Sequence, residues 1–252
     1  MARTDKYSGQ GQAKTGIIKG RQGIYETSST AKHTVGERMC LGDGRVFYYA
    51  KNGSSASARP GVLFVADIDR AEEDTSVSEA IGDRTVETFT TVGLMGPAAI
   101  GGYFWVTGGT GGGQTYKIAD VTQSTTSGAS DIHLHDGIVS TITTAGCCIA
   151  NNPFYGVELA NDLDNLFLGA ALVAVPASEY FWMQTWGWIA LVRGDALGDL
   201  ATERELFAHA SGVTTLSTDA GPLGRQCVGH NTYYTVDVVS GEWHLGYLTI
   251  WP

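Results

Sequence analysis

Tyr180-Phe-Trp-Met-Gln-Thr-Trp-Gly-Trp188 is the stretch that decides the fold. In an extended chain successive side chains point to opposite faces, so Trp182, Gln184 and Trp186 share one face while Phe181, Met183 and Thr185 share the other. Bulky residues on both faces mark a central strand packed on both sides. The expected elements are a strand over Tyr180–Trp186 and a second over Trp188–Val192. Trp182, Trp186 and Trp188 are read as core or subunit-interface aromatics in preference to a stacking platform for sugars or bases.

Outward from this segment the same texture continues. Short apolar or β-branched runs lie at Arg45–Ala50, Val62–Ala66, Thr85–Val92, Tyr103–Thr107, Gln114–Ile118, Ile132–Leu134 and Ile138–Ile142. Further runs lie at Val157–Leu159, Ala170–Val175, Leu206–Ala208, Val213–Leu216, Gln226–Gly229, Thr232–Val239 and Trp243–Ile250. Turn signals separate them at roughly 8–12-residue intervals, the spacing of a β-sandwich or barrel. Gly42-Asp43-Gly44 is one such turn, and Asn52-Gly53 is the dipeptide most typical of a tight hairpin. The 34 glycines supply the left-handed positions that many turns need. The acidic stretch 67–83 is expected to be an exposed loop rather than a helix. No segment holds a 3.6-residue period for three turns, and no fixed-period repeat is present. The fold expected is all-β: one or two β-sandwich or barrel-like domains preceded by an extended N-terminal arm. The arm is placed at 1–38, a first β-rich domain at 39–153 and a second at 154–252.

Charge divides the chain in the same place. Residues 1–40 carry seven Lys/Arg and three acids, a net of +4, while the remainder carries nine and 23, a net of −14. A basic arm on an acidic body suggests a segment that lies on an acidic partner surface, and Lys14, Ile17, Ile18, Lys19, Arg21 and Arg38 are its candidate partner-binding residues. The acidic body disfavours nucleic acid, because it repels phosphate. No apolar run approaches the roughly 18 residues of a membrane span. MARTDKYSGQ at the N-terminus has no apolar core, so no secretion signal is read there. Cys40, Cys147, Cys148 and Cys227 are accordingly expected to be free, buried thiols of a protein that folds in a reducing cytoplasm.

Motifs for chemistry are sparse. Gly108-Gly-Thr-Gly-Gly-Gly113 lacks the Gly-Lys-Ser/Thr ending of a phosphate loop and runs into a strand, so it reads as a hairpin tip. His133 and His135 would share a strand face beside Asp136, but a metal site needs a third ligand that the sequence does not announce. Asp162-Leu-Asp164 is short of the oxygen count of a calcium loop. No nucleophile elbow occurs, and two acids converging in the fold would leave no signature. The expectation is a non-enzyme, with no catalytic residue, cofactor or metal.

Several segments carry a resemblance. Leu41-Gly-Asp-Gly-Arg-Val-Phe-Tyr-Tyr-Ala-Lys51 is followed by Gly101-Gly-Tyr103, Gly113-Gln-Thr-Tyr-Lys-Ile118 and Asn152-Pro-Phe-Tyr-Gly-Val157. Last comes Val175-Pro-Ala-Ser-Glu-Tyr-Phe-Trp-Met-Gln-Thr-Trp-Gly187. In this order they resemble a family of tailed-bacteriophage structural proteins associated with the capsid, from about residue 20 to the C-terminus. The resemblance implies a capsid decoration or cement-type protein, β-rich, often clustered as trimers on the outside of the shell, with the major capsid protein as partner. It implies a virion location after assembly in the host cytoplasm, and brings no active-site residues. Shell, head–tail junction and tail all remain open as its place on the particle. The alternative reading is a tail or fibre component whose Trp182, Trp186 or Trp188 forms a carbohydrate platform. On the leading reading, residues 2–38 are needed for particle binding and are dispensable for folding of the β-body.

Overall fold

A computed structural model describes residues 22–66, 72–89, 96–123, 130–160, 166–194, 205–209, 212–214, 226–231 and 241–252. The chain is all-β. In order the strands are β1 (Arg38–Cys40), β2 (Val46–Asn52), β3 (Leu63–Val65), β4 (Glu72–Glu79), β5 (Thr85–Phe89), β6 (Tyr103–Val106), β7 (Thr115–Gln123) and β8 (Ser130–Leu134). They continue as β9 (Ile142–Ala150), β10 (Tyr155–Leu159), β11 (Phe167–Ala171), β12 (Tyr180–Val192), β13 (Glu205–His209), β14 (Gly212–Thr214), β15 (Cys227–Asn231) and β16 (Trp243–Thr249). No helix of the described residues is long and apolar enough to cross a membrane.

Two compact units result, one formed by Met1–Asp67 with Phe154–Pro252 and the other by Ile68–Pro153. This division differs from 39–153 and 154–252 at its first boundary. Residues 39–66 belong with the C-terminal strands because β2 and β3 take their hydrogen bonds from β10, β11 and β12.

In the first unit, β2 pairs with β10, β10 with β3, β3 with β11, β11 with β12, and β12 again with β2. These five strands close a ring, which removes their free edges. Only β10 runs parallel to its neighbour β2; the other four ring pairings are antiparallel. Asn52-Gly53 is therefore not a hairpin, since β10 lies between β2 and β3. The buried Asn52 side chain instead donates to the carbonyls of Ala56 (2.9 Å), Val175 (3.3 Å) and Pro176 (2.9 Å), tying two loops to the end of β2.

Alternation along the ring strands feeds separate cores. Ala50, Phe64, Val157, Leu168, Phe181 and Met183 come from all five strands and form one buried cluster, which places it inside the ring. The opposite side chains of β2 and β12 (Phe47, Tyr49 and Trp182) form a second cluster against Ile24, Val35 and Met39. Leu63, Val65, Ile189 and Leu191 pack outward with Leu206, Val228 and Leu248 of β13, β15 and β16. The expectation of a strand packed on both faces holds for β12.

Tyr180–Trp186 and Trp188–Val192 are one continuous strand of 13 residues. Gly187 adopts φ +95°, which reads as a break, yet it stays paired with Leu248. A Cβ there would stand 2.9 Å from Arg45 Cγ, so glycine is also what lets β2 approach.

The second unit is one antiparallel sheet in the order β4-β9-β6-β7-β8-β5. Its single core gathers Val86, Phe104, Ile118, Ile132, Ile142 and Cys147, among others. Two expectations change here. Glu72–Glu79 is a strand rather than a loop, because it pairs with β9 and buries Val77. A charged sequence suits its place at the end of the sheet order. Ile138–Ile142 is not a strand: Ile138 sits in a loop that bonds the turn at Gly82 and Asp83, and β9 begins only at Ile142.

The arm expected at 1–38 divides at residue 22. Residues 1–21 lie outside the described residues, whereas 22–38 are bound to their own unit. Ser28 exchanges backbone hydrogen bonds with Tyr180 (3.0 and 2.8 Å), and Tyr49 bonds Gly36 (2.8 Å) and Glu37 (2.9 Å). Among the thiols, Cys147 and Cys148 are buried as expected, but Cys40 is half-buried and Cys227 exposed.

Trp182 is 2% exposed and Trp188 48%. Trp182→Ala should therefore cost about 3–5 kcal/mol, as large-to-small core changes do, while Trp188→Ala should cost well under that. Urea unfolding of both variants separates the two, and equal losses would contradict the assignment of Trp182 to the core.

Candidate interaction surface

Between Gln184 and Trp186 the register of β12 against β2 shifts, and past that irregularity one face of the strand is open to solvent alongside β16, with Trp188 and Ala190 exposed while Ile189 and Leu191 are buried. Burial in Trp243-His-Leu-Gly-Tyr-Leu-Thr249 alternates, with Trp243 and Leu245 exposed, Tyr247 half-buried, and His244, Gly246 and Leu248 buried. Register then assembles the face: Trp186 lies opposite Thr249, Trp188 opposite Tyr247, Ala190 opposite Leu245 and Val192 opposite Trp243. Directly opposed residues share a face, so the exposed Trp188, Ala190, Trp243 and Leu245 form an aromatic and aliphatic strip with the half-buried Trp186 and Tyr247, while Val192 at its end is buried.

The strip is held rather than loosely displayed. Tyr247 stands edge-on to Trp188 (centroids 5.3 Å, 88°) and to Trp186 (6.0 Å, 78°). Trp243 Nε1 donates to the Pro60 carbonyl at 2.8 Å, and the Arg59 guanidinium lies 5.9 Å from the indole. Gly61 (φ +77°) makes this fit possible, since a Cβ there would meet the Ala190 carbonyl at 2.5 Å and the Trp243 ring at 3.0 Å.

Across β16 the same face becomes polar. His230 of β15 lies opposite Tyr247, and Glu205 of β13 lies opposite His230; both are exposed. Trp188, Tyr247, His230 and Glu205 thus form a lateral row over four strands.

A second feature fixes where the N-terminal segment joins the body. Gln22 Nε2 donates to the carbonyls of Glu26 and Tyr180, both at 2.7 Å, and Gln22 Oε1 accepts from the Tyr49 hydroxyl at 2.6 Å. Its own carbonyl accepts from Trp182 Nε1 at 3.0 Å. Burial pushes the Tyr49 phenol above its ordinary value, so it stays a donor while accepting from the Lys32 amide at 3.1 Å. His33 packs edge-on against both Tyr49 (5.1 Å) and Trp182 (4.8 Å) and meets Glu37 at 3.3 Å.

Of the residues singled out from sequence, Trp182 is core, Trp186 half-buried and Trp188 exposed, so the three do not make one platform. Arg38 is exposed and donates from Nε to the Pro252 carbonyl at 3.2 Å. Lys14, Ile17, Ile18, Lys19 and Arg21 lie outside the described residues, as do Asp162 and Asp164. His133 meets Thr85 Oγ1 at 3.1 Å and Thr122 Oγ1 at 3.0 Å through its two nitrogens, while His135 lies beyond the strand end. Among the described residues no three His, Cys, Asp or Glu side chains converge as a metal site. Tyr247, Trp243, Leu245, His230 and Glu205 were missed by sequence reasoning. The alternation in β16 was the signal for the first three, while the row joining the other two exists only through register.

No known protein family, curated protein or solved structure matches the chain.

Beneath the strip, His244 is buried with neither ring nitrogen hydrogen-bonded. Burial, with a smaller effect from Arg193, pushes its imidazole down to about 4. Between the unperturbed value near ~6.5 and that point the unfolded chain takes up a proton that the folded chain refuses. Stability is full above that range and should fall by about 3 kcal/mol as pH drops through it. Urea midpoints at neutral and acid pH should diverge less in His244→Phe than in the wild type; identical pH slopes would exclude this role for His244.

Proposed function

We propose that the chain is a virion structural protein, a capsid decoration or cement protein that binds and stabilises the major capsid protein lattice without catalysis. The anchoring of Gln22 carries this reading. A segment with five Lys/Arg and one acid in its first 21 residues is joined to an acidic β-body through a residue held by four hydrogen bonds. The resemblance to capsid-associated proteins of tailed bacteriophages, which spans both units, supports the same partner. Basic residues of the segment would meet acidic capsid surface, and its backbone would add to partner sheets by strand addition. Many weakly bound copies, self-associated as the resemblance implies and each bridging neighbouring subunits, would raise the force needed to open the shell. Nothing in this reading calls for nucleic acid or membrane.

Residues 22–38 cover Phe47, Tyr49 and Trp182, so removing 2–38 would uncover core. The informative truncation removes 2–21 only. It should leave the unfolding midpoint of the β-body unchanged and abolish co-sedimentation with capsids of the encoding virus, where the full chain binds. Full occupancy of capsids by the truncated protein would overturn the proposal.

A further inference from the structure

The geometry points to a carbohydrate-binding row on the outer face of the first unit, formed by Trp188, Tyr247, His230 and Glu205. It goes beyond capsid binding and does not depend on it. The four residues are directly opposed in register on β12, β16, β15 and β13. Neighbouring strands lie ~4.8 Å apart, so the row extends over about 14 Å, enough for a short oligosaccharide.

The order of side chains along the row matches the chemistry of a pyranose. One face of such a sugar presents C–H hydrogens, which are attracted to the electron-rich face of an aromatic ring, while hydroxyls project from its edge. Trp188 is 48% exposed and supplies the ring. Tyr247, edge-on at 5.3 Å, fixes the indole, so little side-chain freedom remains to be lost on binding. His230 and Glu205 then stand at the polar end, where an imidazole and a carboxylate can donate to and accept from hydroxyls. Leu245 and Ala190, opposed on the next outward rung, widen the apolar part.

Other occupants fit less well. Protein interface cores are depleted in charge, whereas this row ends in a carboxylate. A second copy would bring its own share of a net charge of −10 to the contact, and a phosphate-bearing ligand would face Glu205.

The full-length chain applied to an array of immobilised bacterial oligosaccharides and polysaccharides containing hexopyranoses should bind at least one of them. Trp188→Ala and Glu205→Gln should each weaken that binding at least tenfold. Tyr103→Ala, which removes an exposed aromatic of the other unit, should leave it unchanged. Glu205→Gln keeps an exposed side chain of the same shape, so its loss of binding would not come from misfolding. No captured glycan, or capture equal in both row variants and wild type, overturns the proposal. So does a wild type that self-associates through this face, captures no glycan, and becomes monomeric on Trp188→Ala.

Discussion

The backbone of Tyr180–Val192 needs hydrogen-bond partners on both edges for thirteen residues, and most of the first unit is arranged by how that need is met. At its start the strand lies between β2 and β11 and closes the ring; from Trp186 onward it carries β16 and, through it, β15, β13 and β14. One strand therefore belongs to two layers. The side chains follow suit: Phe181 and Met183 fill the ring, Ile189 and Leu191 fill the space outside it, and Trp182 holds down the N-terminal segment. Gly187 permits this passage, because only a residue tolerating φ +95° and the close approach of Arg45 can sit there without interrupting the pairing.

The same strand has a covered part and an open part. Residues 22–38 shield Trp182 and its neighbours, with Gln22 closing the cover through four hydrogen bonds. Past the register shift between Gln184 and Trp186 there is no such shield, and Trp188 is exposed. Exposed aromatic strips on folded proteins commonly mark contact sites, and rings already locked by edge-on packing lose little entropy when a ligand arrives. The covered region joins the basic segment to the body; the open region offers a separate surface beside it.

Legibility in the sequence followed the range of the interaction concerned. Short strands at Val46–Asn52, Leu63–Val65, Thr85–Phe89 and Trp243–Thr249 were readable because alternation and β-branched residues act within a few positions. Glu72–Glu79 was not, since its charges oppose strand formation locally and only pairing with β9 overrides them. Asn52-Gly53 misled for the reverse reason: a good hairpin dipeptide is outcompeted when β10, a hundred residues away, takes the place next to β2. Trp182 was placed correctly, but Trp188, read with it as a core or interface aromatic, is exposed, because how far packing covers a strand is set by distant segments and leaves no local signal.

What the sequence alone determined was the all-β character, the two-faced burial of the Tyr180 segment, and the split between a basic N-terminus and an acidic body. Each is carried by residues adjacent in the chain or by composition, so no knowledge of partners is needed. The tertiary structure decided the rest: that β2, β10, β3, β11 and β12 close on themselves, that residues 22–38 are a cover, and that Trp188, Tyr247, His230 and Glu205 stand in one row. Those outcomes depend on register between distant segments, where a shift of one residue turns every side chain to the other face, and local sequence leaves that choice to packing.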